Sequence, residues 1–263
     1  MSGRFSRLEL QGQRRAEQTG DEEVSGTPVR TATHHREVAD EAYRAGQFET
    51  ALQMYTRALG VDRGLVAAWV GQLQMLVELR EYPEARLWAD KALELFKNNG
   101  ELLAAKGQAC LRQGDAAAAM ACADAALASA GGSPYRWRVR GEVILRRSHD
   151  RARDCFEKSL GEPGADWFDR TLVARVYLFH SLPAAAVDYA QRGVDRQPSS
   201  AYAWLVLGRC QQMLGLAERA AACYSRSREL PGGRADAEAA LQELTRTGRF
   251  THARRWLGGL LRR

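Results

Sequence analysis

Seven alanines fall at one phase of a fixed period in this chain. Ala51, Ala85, Ala119, Ala152, Ala186, Ala220 and Ala253 follow one another at intervals of 34, 34, 33, 34, 34 and 33 residues. Other positions keep step with them. Four residues after each alanine come Tyr55, Ala89, Ala123, Phe156, Ala190, Tyr224 and Leu257. Twelve residues before stand small or apolar groups, Ala39, Leu73, Gly107, Ala174 and Gly208, and four before those, in three repeats, Trp69, Leu103 and Trp204. A period of this length means one supersecondary unit that cannot bury its apolar face alone and is completed by its neighbours.

Within each period the apolar residues recur at i, i+3, i+4 and i+7, the spacing of a one-sided helix. Gly46, Gly114, Gly215 and Gly248 each stand five residues before the key alanine. A left-handed residue there ends a first helix and starts a second. The second helix runs to a break such as Asn98-Asn99-Gly100, Gln197-Pro198 or Leu230-Pro231-Gly232. The pattern predicts six helical hairpins over residues 32–233 and a seventh helix pair over 234–263 that caps the stack. Residues 1–31 are rich in polar and charged groups and offer little to bury, so they read as a flexible arm. Within that arm Phe5, Leu8 and Leu10 could dock on a groove of a neighbouring chain and give self-association.

Here the sequence resembles the tetratricopeptide repeat family. The resemblance rests on Trp204-Leu-Val-Leu-Gly208 with Leu214-Gly215, Ala220 and Tyr224, and on Ala39, Tyr43, Gly46, Phe48, Ala51, Tyr55 and Ala58. It covers about residues 32–263. It implies an all-α, right-handed superhelical solenoid of about seven stacked helix-turn-helix units. Departures occur: Arg63, Lys97 and Gly232 stand where the family places an inter-repeat proline, and Pro198 alone fits. The fourth repeat, Tyr135 to Leu160, is one residue short at its Ser148-His149 turn, and glycine-proline stretches at 131–134 and 161–164 are the expected bends.

No catalytic pattern emerges. The chain lacks the glycine-rich phosphate loops, a G-x-S-x-G elbow and an H-E-x-x-H helix. His34 and His35 are adjacent and point to different helix faces, so they cannot grip one metal as an i, i+4 pair would. Five cysteines form an odd set without a C-x-x-C pair, which fits a reducing compartment, and Cys122, Cys155 and Cys223 share one repeat position, as packing groups would. No apolar run is long enough to span a bilayer, and the first residues lack the apolar core of a secretory signal. The expectation is a cytoplasmic, non-enzymatic protein with no cofactor and no metal. Abundant arginine and alanine against scarce lysine hints at a GC-rich, bacterial genome.

The resemblance also implies where a partner binds. In the family, exposed side chains of each first helix at repeat positions two, five, nine, twelve and thirteen line a concave groove. That register selects Tyr135, Arg138, Arg146, Phe168, Arg175, Phe179, Tyr202 and Arg209, a basic and aromatic set suited to an acidic or extended peptide segment of another protein. Arg36, Arg44 and Arg112 are secondary candidates. The family's clamp for acidic chaperone tails is not matched, because Asp40 replaces its asparagine and would repel a carboxylate.

The formal net charge is +6, and residues 244–263 hold six arginines and no acid. The remaining chain is therefore neutral. Arg254 and Arg255, set beside Trp256, Leu257, Leu260 and Leu261, make that end a secondary candidate site. It supports an alternative role as a nucleic-acid-associated or membrane-surface factor.

Overall fold

A computed structural model of the protein describes residues 31–246. Among the described residues there are thirteen helices and no strand. They are α1 Ala32–Arg44, α2 Phe48–Val61, α3 Val66–Glu78, α4 Tyr82–Leu95, α5 Gly100–Arg112, α6 Ala116–Ala128 and α7 Pro134–Ile144. After them come α8 His149–Gly161, α9 Trp167–Phe179, α10 Pro183–Arg196, α11 Ala201–Met213 and α12 Ala217–Glu229, and α13 over 234–246. The fold is an all-α repeat, as the period requires.

The key alanines explain the hairpins. Ala51, Ala85, Ala119, Ala152, Ala186 and Ala220 are fully buried, and so are the groups one turn on, from Tyr55 to Tyr224. Small side chains here let the two helices of a pair approach closely. At Gly208 of the α11/α12 pair a β-carbon would stand 2.4 Å from the buried ring of Tyr224. The first helix of a hairpin also packs on the first helix of the next, as α3 does on α5 and α9 on α11.

Turn chemistry sets the length of each unit. Gly46, Gly114 and Gly215 adopt φ of 79°, 92° and 77°, the left-handed region open to glycine. Arg80 and Ser181 occupy the same turn position with φ of 65° and 58° in spite of their side chains. The fourth repeat, one residue shorter, joins α7 to α8 with no such residue.

Side-chain caps are commoner on the first helices of the pairs, α3 excepted, where Leu65 gives none. First helices start on Thr31, Asn99, Ser133, Asp166 and Ser200, whose side chains accept hydrogen bonds from the first-turn N–H groups. Among second helices α6 and α8 are capped this way, by Asp115 and by Ser148, whose hydroxyl accepts from the Arg151 N–H at 3.4 Å. Gln47, Glu81, Leu182 and Leu216 give no side-chain cap.

The chain divides into two compact units between Cys155 and Phe156, a division that falls within α8. The first unit holds the hairpins α1/α2, α3/α4 and α5/α6 with α7. The second holds α9/α10, α11/α12 and α13, its last layer formed by Leu241 and Leu244 against Ala220, Tyr224 and Ala240.

Candidate partner-binding face

The first helices carry their ninth and thirteenth repeat positions one turn apart, except α7, whose thirteenth position, Arg146, lies in the turn after the helix. In the first unit the ninth positions are Asp40, Gln74, Gln108 and Glu142, and the thirteenth are Arg44, Glu78, Arg112 and Arg146. In the second unit, on α9 and α11, the ninth are Arg175 and Arg209 and the thirteenth Phe179 and Met213; on α13 they are Gln242 and Arg246. The two units therefore carry different chemistry at equivalent sites.

In the first unit many of these groups bond to one another. Asp40 accepts from Arg36 and from the Tyr55 hydroxyl. The Glu142 carboxylate is 0% exposed; Arg112 Nε lies 2.7 Å from its Oε1, and Gln108 Nε2 donates to its Oε2 at 3.0 Å. The Tyr135 hydroxyl donates to Gln108 Oε1 at 3.0 Å, and burial pushes that phenol well above its ordinary value. Arg138 lies over the Tyr135 ring at 5.2 Å. A carboxylate removed from water needs such partners, since alone it would be strongly disfavoured.

These facts place the candidate residues. Tyr135, Arg138, Phe168 and Tyr202 were expected to be exposed along a groove, and all four are buried. The aromatic rings at the second position pack sideways along the repeat: Phe168 meets Trp167 at 5.4 Å and Tyr202 at 6.2 Å. Arg146, Phe179 and Arg209 are exposed, and Arg175 is half-buried over the Tyr202 ring at 5.9 Å. Arg209 makes a 3.6 Å ion pair with Glu243, both half in water, a contact of small worth. Of the secondary candidates, Arg44 is exposed and Arg36 and Arg112 are held in ion pairs. Phe5, Leu8, Leu10, Arg254 and Arg255 lie outside the described residues, as do residues 1–30 of the expected arm and the stretch 247–263 expected to complete the seventh pair.

Two features escape a reading by register. Arg136, at the third position, bridges Glu101 at 2.8 Å and reaches the carbonyls of Ala126, Ser129, Ala130 and Gly131, the last at 2.7 Å. It ties the end of α6 and its loop to the start of α5. The other is a group of exposed apolar residues at the turns of the second unit. Leu182 and Leu216, both standing where a capping side chain is favoured, were the available sequence signal for it.

The cysteines pack rather than react. Burial pushes the Cys210 thiol up to about 12 and Cys223 up to about 11, leaving little thiolate to act as a nucleophile. Among the described residues no cluster of histidine, cysteine and carboxylates could hold a metal ion, and no helix is long and apolar enough to cross a membrane.

The tetratricopeptide repeat model matches residues 38–100 and 173–234, one stretch in each unit. No curated protein matches the sequence. A tetratricopeptide repeat protein from Parabacteroides merdae superposes with a TM-score of 0.51 at 16% identity, over 90% of each chain. A chain of the APC/C hetero-tetramer Cut9-Hcn1 gives 0.50 at 15% identity, covering 92% of this chain. This chain spans 46% of that one, and at such identities the likeness is one of fold.

Proposed function

Taking the chain as one that carries tetratricopeptide repeats, we propose that it is a non-catalytic scaffold whose first-helix face holds a segment of another protein, acidic in character. The observation that carries this reading is the arginine pair at equivalent positions of consecutive repeats, Arg175 and Arg209, on helices that pack together. A guanidinium fork binds carboxylates in two-pronged fashion, and two forks in register favour an acidic chain over an isolated ion.

The test is the charge reversal Arg175→Glu with Arg209→Glu. Binding of a fluorescein-labelled polyglutamate peptide should fall by about tenfold or more, a loss of ~1.4 kcal/mol or greater, with far-UV circular dichroism unchanged. Equal binding by the reversed protein would remove the acidic-segment reading.

A further inference from the structure

The second unit exposes large apolar groups where its first helices turn into its second. Phe179 is 42% exposed, Met213 47%, Leu214 37% and Leu216 40%. Four of the seven exposed large hydrophobic residues among those described lie at these two turns. Their equivalents in the first unit are mostly polar: Arg44, Glu78, Arg112 and Arg146 match Phe179 and Met213, and Gln47, Glu81 and Asp115 match Leu216.

The leucine at the start of α12 makes no capping bond, and Leu182 at the start of α10 makes none either. Leucine is among the poorest residues for this position, where Asp115 in the first unit accepts from the Ala118 N–H. Gln47 and Glu81 in the first unit give no cap either, but they are polar; the second unit places leucine at that position in consecutive repeats, and at Leu216 this adds exposed apolar surface at the turn.

One turn before the apolar row lie Arg175 and Arg209, four residues ahead of Phe179 and Met213. Two parallel rows therefore run across α9 and α11, cationic on one side and apolar on the other. Packed helices stand about 8–10 Å apart, close to the ~10.5 Å that separates residues i and i+7 of a crossing helix.

We propose that this turn edge docks an amphipathic helix of a partner protein, leucine-like side chains on Phe179, Met213, Leu214 and Leu216, glutamates or aspartates on Arg175 and Arg209. The proposal rests on the acidic-segment reading above for its charged half and is independent of it for its apolar half. Charge complementarity excludes a basic amphipathic helix from the same site.

The probe is a labelled helical peptide of about fourteen residues, with leucines every third or fourth position and glutamates along one flank. A glutamate→glutamine version and a leucine→serine version accompany it. Full-length protein should bind the parent peptide, and Met213→Glu with Leu216→Asp should weaken it by about tenfold or more. Leu216→Asp alone should weaken binding while leaving the thermal midpoint unchanged or higher, since aspartate restores a cap. The leucine→serine peptide should bind at least about tenfold more weakly than the parent.

Equal binding of the parent and leucine→serine peptides would overturn the apolar edge, as would unchanged binding by the Met213/Leu216 variant. If the glutamine peptide binds like the parent while that variant loses it, the apolar edge stands and the acidic reading alone fails. Light scattering that finds a dimer dissociated by the Met213/Leu216 substitutions would assign the edge to a second copy, against the proposal.

Discussion

Arg136 is buried and joins two parts of the first unit. Its guanidinium sits between the Glu101 carboxylate and a run of carbonyls at the end of α6 and in the loop beyond, among them that of Ala126 in the helix's last turn. A β-carbon at Gly100 would lie 2.3 Å from its Cζ, so Gly100 is small in order to admit it. Arg136→Ala would leave a half-buried carboxylate and several carbonyls without their donor. The expected cost is about 2–3 kcal/mol, seen as an earlier denaturation midpoint. Arg136→Lys should recover less than half of this, because an ammonium cannot present the planar fork. A midpoint unchanged in both variants would show that water replaces the guanidinium at no cost. Nothing in the sequence marks this residue: the groups it joins are up to 35 positions apart, and arginine at the third repeat position recurs only at Arg136.

At the scale of helices, what the period specifies is packing, and it does so well. Among the described residues the alanine phase falls inside each second helix, because a residue that must be small for two helices to touch cannot drift without opening or overfilling the contact. Gly208 is the sharpest case. Gly208→Ala would force its new methyl into the Tyr224 ring, which is buried on all sides by α11, α12 and α13. A loss of about 1–3 kcal/mol is expected in urea unfolding, and pairing it with Tyr224→Leu should return part of that loss, since the space is then shared differently. A fully additive double variant would deny the contact. The face was less legible than the core. Position within the repeat says which way a side chain starts, but Tyr135, Phe168 and Tyr202 are long enough to lie along the surface onto neighbouring groups. Arg138 follows Tyr135 by stacking on it. The exposed residues that remain, Arg146, Phe179 and Arg209, with the half-buried Arg175, are the part of the register that side-chain length did not redirect.

Across the whole molecule, burial of titratable groups acts in one direction on the alkaline side. Cys210, Cys223 and Tyr224 have their pKa values pushed up to about 12, 11 and 12, and Cys110, Cys122 and Tyr135 are raised as well, all chiefly by desolvation. In the unfolded chain thiols and phenols ionise near their ordinary values, about 8.5 and 10. Between those values and the raised ones the unfolded state releases protons that the folded state keeps. Stability is therefore full below about pH 8.5 and is lost progressively as pH rises toward 12. Because such groups occur in both units, the loss belongs to the molecule and not to one hairpin. The midpoint of thermal unfolding, followed by circular dichroism, should fall steadily from about pH 9 upward. Cys210→Ala should flatten that fall, since it removes a buried thiol while keeping a small apolar group in the hairpin. A midpoint level to pH 11 would mean that the thiols and phenols reach water, and with it that the hairpins are packed less tightly than their alanines imply.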